Sequence, residues 1–102
     1  MAQLEGRFVN EWTRKFHPKA LVYGKMRVGP LPEGDGLAGV LRKYPDKIFI
    51  EDGTVHIVEG KVKPSSEAIG QLKLYADLFP LTPEFFFAAG LPIKKLLLTT
   101  RE

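Results

Sequence analysis

PDKIFIEDGTVHIVEGK, residues 45–61, governs how this chain is built. Two β-branched runs flank Asp52-Gly53. That pair suits a two-residue type I′ turn, in which both central residues take positive φ. With those two as the loop, Glu51 faces Thr54, Ile50 faces Val55, Ile48 faces Ile57, and Asp46 faces Glu59. Directly opposed residues have Cβ atoms about 4.5–5.5 Å apart, so two carboxylates are expected side by side. Alternation along the strand keeps Lys61 on their face, two residues beyond Glu59. The rest of that face is apolar: Ile48, Ile50, Val55 and Ile57. Adjacent acids repel unless a proton or a cation lies between them. Closely placed oxygen ligands suit a hard cation such as Mg²⁺. On repulsion alone, Asp46→Ala is expected to raise stability in the absence of metal.

On the N-terminal side, residues 3–16 carry Leu4, Phe8, Val9, Trp12 and Phe16 on one helical stripe. Glu5 sits within that stripe and Glu11 at its edge. A carboxylate on a core-facing stripe needs a partner, because burying a lone charge is costly. His17-Pro18 ends the helix. Residues 20–28 read as a strand, with Leu21, Tyr23, Lys25 and Arg27 on one side. Glycine and proline punctuate 29–39 into a loop, and residues 40–44 are expected to extend the sheet edge.

Beyond the hairpin, Pro64-Ser65-Ser66-Glu67 reads as a helix start with hydroxyl caps. Residues 66–79 form the second helix, with Ala68, Ile69, Leu72, Tyr75, Ala76 and Phe79 facing inward. Gly70 suggests close packing there. Prolines 80, 83 and 92 interrupt the next stretch, leaving Phe85-Phe86-Phe87 as a short strand or buried loop. Residues 93–100 read as a last strand. The fold class is α/β: a small mixed β-sheet with a helix on each side, its last two strands joined by a parallel crossover.

A chain of 102 residues makes one domain, 1–102. Its hydrophobic fraction of 44% supports one core. No apolar run approaches a membrane span, and the N-terminal pattern is helical rather than a leader, so no signal peptide is expected. There are no cysteines, which excludes disulfides and thiolate zinc sites. Two isolated histidines make no zinc site either. A cytoplasmic location is the default expectation. A net charge of +3 permits nucleic-acid binding without demanding it.

Pro45, Asp46, Glu59 and Lys61, with Gln71-Leu-Lys-Leu-Tyr75 downstream, resemble the PD-(D/E)xK nuclease superfamily. The similarity is to small phage- or exonuclease-like members carrying a Q-x-x-x-Y helix. Its specific residues lie within 45–75. Gly60 departs from the pattern, since the family usually has an apolar residue there. The resemblance implies an αβββαβ restriction-endonuclease-like core and a divalent-metal-dependent deoxyribonuclease.

In that reading Asp46, Glu59 and the carbonyl of Gly60 bind Mg²⁺ or Mn²⁺, and Lys61 orients the attacking water. Glu5 adds an acid from the first helix, with Glu11 as the fallback. Gln71, Tyr75, Lys63 and Lys43 contact DNA. A homodimer through the apolar 80–92 stretch would widen so small a grip. The plain alternatives are a solvated hairpin end for the charged cluster and simple packing for Gln71 and Tyr75. A competing function is a catalytically inactive nucleic-acid-binding relative of the same fold.

Overall fold

A computed structural model describes residues 2–24, 26, 28–29, 44–61, 63 and 65–99. The expected loop beyond Gly29, the sheet-edge extension over 40–43, and Lys25, Arg27, Arg42 and Lys43 lie outside the described residues. Helix α1 spans Ala2–Phe16. Strands β1 (Leu21–Gly24), β2 (Lys47–Glu51) and β3 (Thr54–Lys61) follow, then helix α2 (Ser66–Leu78) and strand β4 (Ile93–Thr99).

The turn between β2 and β3 is the one the sequence calls for. Asp52 has φ 54° and Gly53 φ 71°, the paired positive values of a type I′ turn. The strand register follows from it: Glu51 pairs with Thr54, Ile50 with Val55, Ile48 with Ile57, and Lys47 with Val58. β1 adds antiparallel to β2, and β4 adds parallel to β3. The mixed sheet therefore runs β1-β2-β3-β4.

Alternation divides the side chains between two cores. On one face Ile48, Val55 and Ile57 pack with Leu72, Tyr75 and Leu78 of α2 and with Phe79 and Phe85. On the other, Phe49 and Val58 pack with Val9 of α1, flanked by Phe8, Trp12, Leu96 and Leu98. The sheet thus has a helix on each side.

α2 starts where Ser65 caps it, its Oγ accepting from the Ala68 N–H at 3.1 Å. Two 3-10 segments, Phe79–Leu81 and Pro83–Ala88, fill the proline-interrupted stretch. Thr82 ties them to the chain near β1. Its buried hydroxyl accepts from the Gly29 N–H at 2.7 Å and donates to the Leu78 carbonyl at 3.0 Å.

Several expectations are corrected. β1 stops at Gly24 instead of reaching Val28. Phe85-Phe86-Phe87 is 3-10, with Phe85 buried and its two neighbours exposed. Ile69 faces solvent at 60% exposure, and Leu78 takes its place inward. Phe16 is also exposed, while Thr13 is buried and returns its hydroxyl to the Val9 carbonyl at 2.8 Å. Gly70 is not a point of close approach, because a Cβ there would meet nothing within 4 Å.

The two glycines separate backbone cost from packing, since a Cβ at Gly53 would also meet nothing within 4 Å. Gly53→Ala forces an alanine into positive φ and is expected to lose about 1–2 kcal/mol. Gly70→Ala, in a helix interior, is expected to gain about 0.5–1 kcal/mol. Urea denaturation midpoints of the two variants check the opposite signs; a stabilised Gly53→Ala would contradict the turn.

Candidate active site

Asp46 lies one residue before β2, at a bend, and Glu59 lies two residues before the end of β3. Continuing the β2–β3 register by one residue sets them opposite each other. The contact that joins them is more specific than simple opposition. The Asp46 N–H donates to Glu59 Oε1 at 3.2 Å. The Gly60 N–H donates to Asp46 Oδ2 at 2.8 Å. Each carboxylate thus accepts a backbone hydrogen bond from the other strand. Glu59 is only 6% exposed, and Asp46 is half-buried.

These bonds answer part of the repulsion expected between the two acids. A carboxylate that accepts a backbone N–H has some of its lost hydration replaced. They also revise the expectation for Asp46→Ala, which would leave the buried Gly60 N–H without its acceptor. Strand alternation turns the Gly60 carbonyl to the same β2 side as its N–H. Asp46, Glu59 and that carbonyl therefore converge on one end of the sheet. Lys61 follows Glu59 on the α2 face and is half-buried.

Tyr75 approaches the pair from α2. It is 6% exposed. Burial first, then the charges of Glu59 and Asp46, push its phenol up to about 12. The hydroxyl stays neutral against the two acids, inside the core rather than along an open surface. One helical turn earlier, Gln71 is half-buried, and its Oε1 is shielded from solvent without a hydrogen-bond partner among the described residues. Lys63 is exposed just beyond β3.

Lys43 lies outside the described residues. The backbone of Glu5 belongs to α1, but its side chain lies outside what is described. α1 packs on the sheet face opposite the acid pair, and Glu11 is exposed there. Among the described residues no three His, Cys, Asp or Glu side chains gather to bind a metal. Protein donors from the described part are then two carboxylates and one carbonyl.

A further polar contact joins α1 to the sheet. His17 Nδ1 meets Glu51 Oε1 at 2.6 Å, joining the end of α1 to the end of β2. The signal was present, because odd-numbered residues of β2 face α1, but nothing in the sequence placed His17 opposite Glu51. Against known proteins, the chain matches no family model and no curated protein.

Two predictions follow from the contacts. Asp46→Ala is expected to lose about 1–3 kcal/mol by leaving the Gly60 N–H unsatisfied. Asp46→Asn keeps an acceptor and removes a charge, so it should be at least as stable as the wild type. Thermal melts without metal rank the two. The second concerns Tyr75. Between about pH 10, where an ordinary tyrosine ionises, and about 12, the unfolded chain loses this proton while the folded chain keeps it. The unfolded state then binds fewer protons, so stability is complete below this window and falls as pH rises through it. Tyr75→Phe should show a shallower alkaline loss in denaturation midpoints measured across that window.

Proposed function

We propose that this chain is a divalent-metal-dependent nuclease that hydrolyses phosphodiester bonds, with DNA as its substrate, built on a restriction-endonuclease-like core. The observation that carries the reading is the reciprocal bonding of Asp46 and Glu59 across the hairpin. It draws two carboxylates together at the end of an apolar face, with Lys61 next along the strand. Backbone N–H groups offset part of the repulsion in this partly buried pair, and a bound cation would offset the rest.

The donor set fits such a cation. Asp46, Glu59 and the Gly60 carbonyl are hard oxygen donors and would bind Mg²⁺ or Mn²⁺. Three protein donors leave further positions for water and substrate phosphate, an arrangement Mg²⁺ favours. When bound, the cation supplies polarisation of the phosphoryl oxygen and a lowered pKa for an attacking water.

The residues of the chain do the remaining work. Lys61, on the same face of β3 as Glu59 by alternation, orients the attacking water and offsets charge growing on the phosphate. The attacking water gives up a proton to solvent as its oxygen forms the new P–O bond, the scissile P–O ester bond breaks, and the leaving oxygen takes up a proton from solvent. Tyr75, kept neutral, closes the core side of the acids against water. Gln71 presents an amide beside it to position the substrate, and Lys63 and Lys43 add attraction for the backbone phosphates.

The test is cleavage of labelled single-stranded, duplex and branched DNA with Mn²⁺ or Mg²⁺. Glu59→Gln, Asp46→Asn and Lys61→Ala should each lower the rate by about 100-fold or more, as loss of a charge-stabilising group does. The first two should also weaken Mn²⁺ binding, and Lys61→Ala should not. Wild-type cleavage by Glu59→Gln would overturn the assignment. Metal and DNA binding with no cleavage of any substrate would identify a non-catalytic relative instead.

A further inference from the structure

On the sheet face opposite the acid pair, part of the space beside α1 is lined by polar groups. Asn10 and Arg14 of α1 and His17, one residue past its end, are spaced i, i+4 and i+7. They face Val22 of β1 and Lys47 of β2 across a pocket of about 400 Å³. The strands explain why these two meet the helix. Val22 pairs with Phe49, and Lys47 lies two residues before Phe49 on the same face. β1 is an edge strand among the described residues, and Val22 is exposed, so the pocket opens at the sheet margin.

The charges in this pocket are of one sign. No carboxylate is among its described lining residues. Glu51 shares the face but is engaged by His17 at 2.6 Å. Asp46, next to Lys47 in sequence, gives its carboxylate to the Gly60 N–H at the end of β3. Among the described residues, Arg14 and Lys47 therefore share this pocket with no carboxylate in its lining. Burial, and then the charge of Arg14, lower the Lys47 ammonium from the usual lysine range. Two like charges drawn together in partly desolvated space favour an anion between them. A guanidinium fork and an ammonium match the oxygens of a phosphate, which accepts several charge-assisted hydrogen bonds at once. The volume exceeds that of phosphate alone and lies within the range of small-molecule sites. Pro18 and Val22 supply an apolar wall for an attached sugar.

We infer that this pocket binds a phosphate group carried by a nucleotide or by a nucleic-acid strand. The inference stands on the opposite face from the acid pair and does not rest on the nuclease reading.

The test is an NMR titration of the whole chain without divalent metal. The ligands are inorganic phosphate, a deoxynucleoside monophosphate and a short single-stranded oligonucleotide, with sodium chloride of equal ionic strength as control. Saturable shifts at Asn10, Arg14 and Lys47 are expected with phosphate and absent with chloride. Arg14→Gln and Lys47→Gln should each weaken binding about tenfold or more, the loss expected for one charge-assisted hydrogen bond.

Arg14 is exposed, so its variant tests the pocket even if Lys47→Gln folds poorly. Tightest binding of the oligonucleotide identifies a strand as the source of the phosphate; tightest binding of the monophosphate identifies a free nucleotide. No saturable shift with any of the three ligands, or shifts unchanged in Arg14→Gln, would overturn the inference. Asp46→Asn should leave the phosphate response intact, so its result separates this pocket from the acid pair.

Discussion

The register of β2 against β3 is the constraint on which the rest of the molecule depends. Asp52 and Gly53 take the two positive φ values that only a tight I′ turn uses, and no freedom to slide remains. A slip of one residue would move every side chain of a strand to the other face. Ile48 and Ile57 would leave the α2 core, Phe49 and Val58 would leave the α1 core, and Asp46 would no longer meet Glu59. Two hydrophobic cores and a charged site thus rest on one turn. The aromatic packing of the α1 face reinforces it: Phe49 stacks on His56 with centroids 4.4 Å apart, while His17 lies 4.6 Å from Phe49.

Charge is distributed by the same alternation. Asp46 and Lys47 are neighbours in sequence yet serve opposite faces. Asp46 turns toward Glu59 and Gly60, where backbone N–H groups receive the carboxylates. Lys47 lines the pocket on the α1 face together with Arg14. The sheet thereby sets Asp46 and Lys47, adjacent in sequence, on opposite faces. The acid pair offers oxygen donors, and the basic pocket offers N–H donors. Tyr75 contributes by remaining uncharged at the buried side of the acids, where a polar but neutral group avoids adding a third negative charge.

Gly60 is the residue in which these demands meet. Its even-numbered position, like that of Val58, faces α1. Its N–H carries the bond to Asp46, which a residue of any type could donate. The glycine is therefore unnecessary for the bond itself. Lys61 then returns to the α2 face, so acid, backbone donor and base succeed one another over three residues of β3.

Local pattern was enough for the helices, the hairpin, the last strand and the meeting of Asp46 with Glu59. Period-2 alternation and a turn with its own φ requirement are properties of adjacent residues, and they leave few alternatives. The end of β1 at Gly24, the exposure of Ile69 and the open space around Gly70 were not legible, because they depend on what lies opposite in space. The same holds for His17 with Glu51 and for Arg14 with Lys47. Each pair joins a helix to a strand that is distant in sequence, and their approach is set by how α1 lies across the sheet. The Gly60 N–H bond to Asp46 belongs to this second group too. Pairing rules bring two carboxylates into proximity, but only the folded backbone shows that each is received by an N–H from the facing strand.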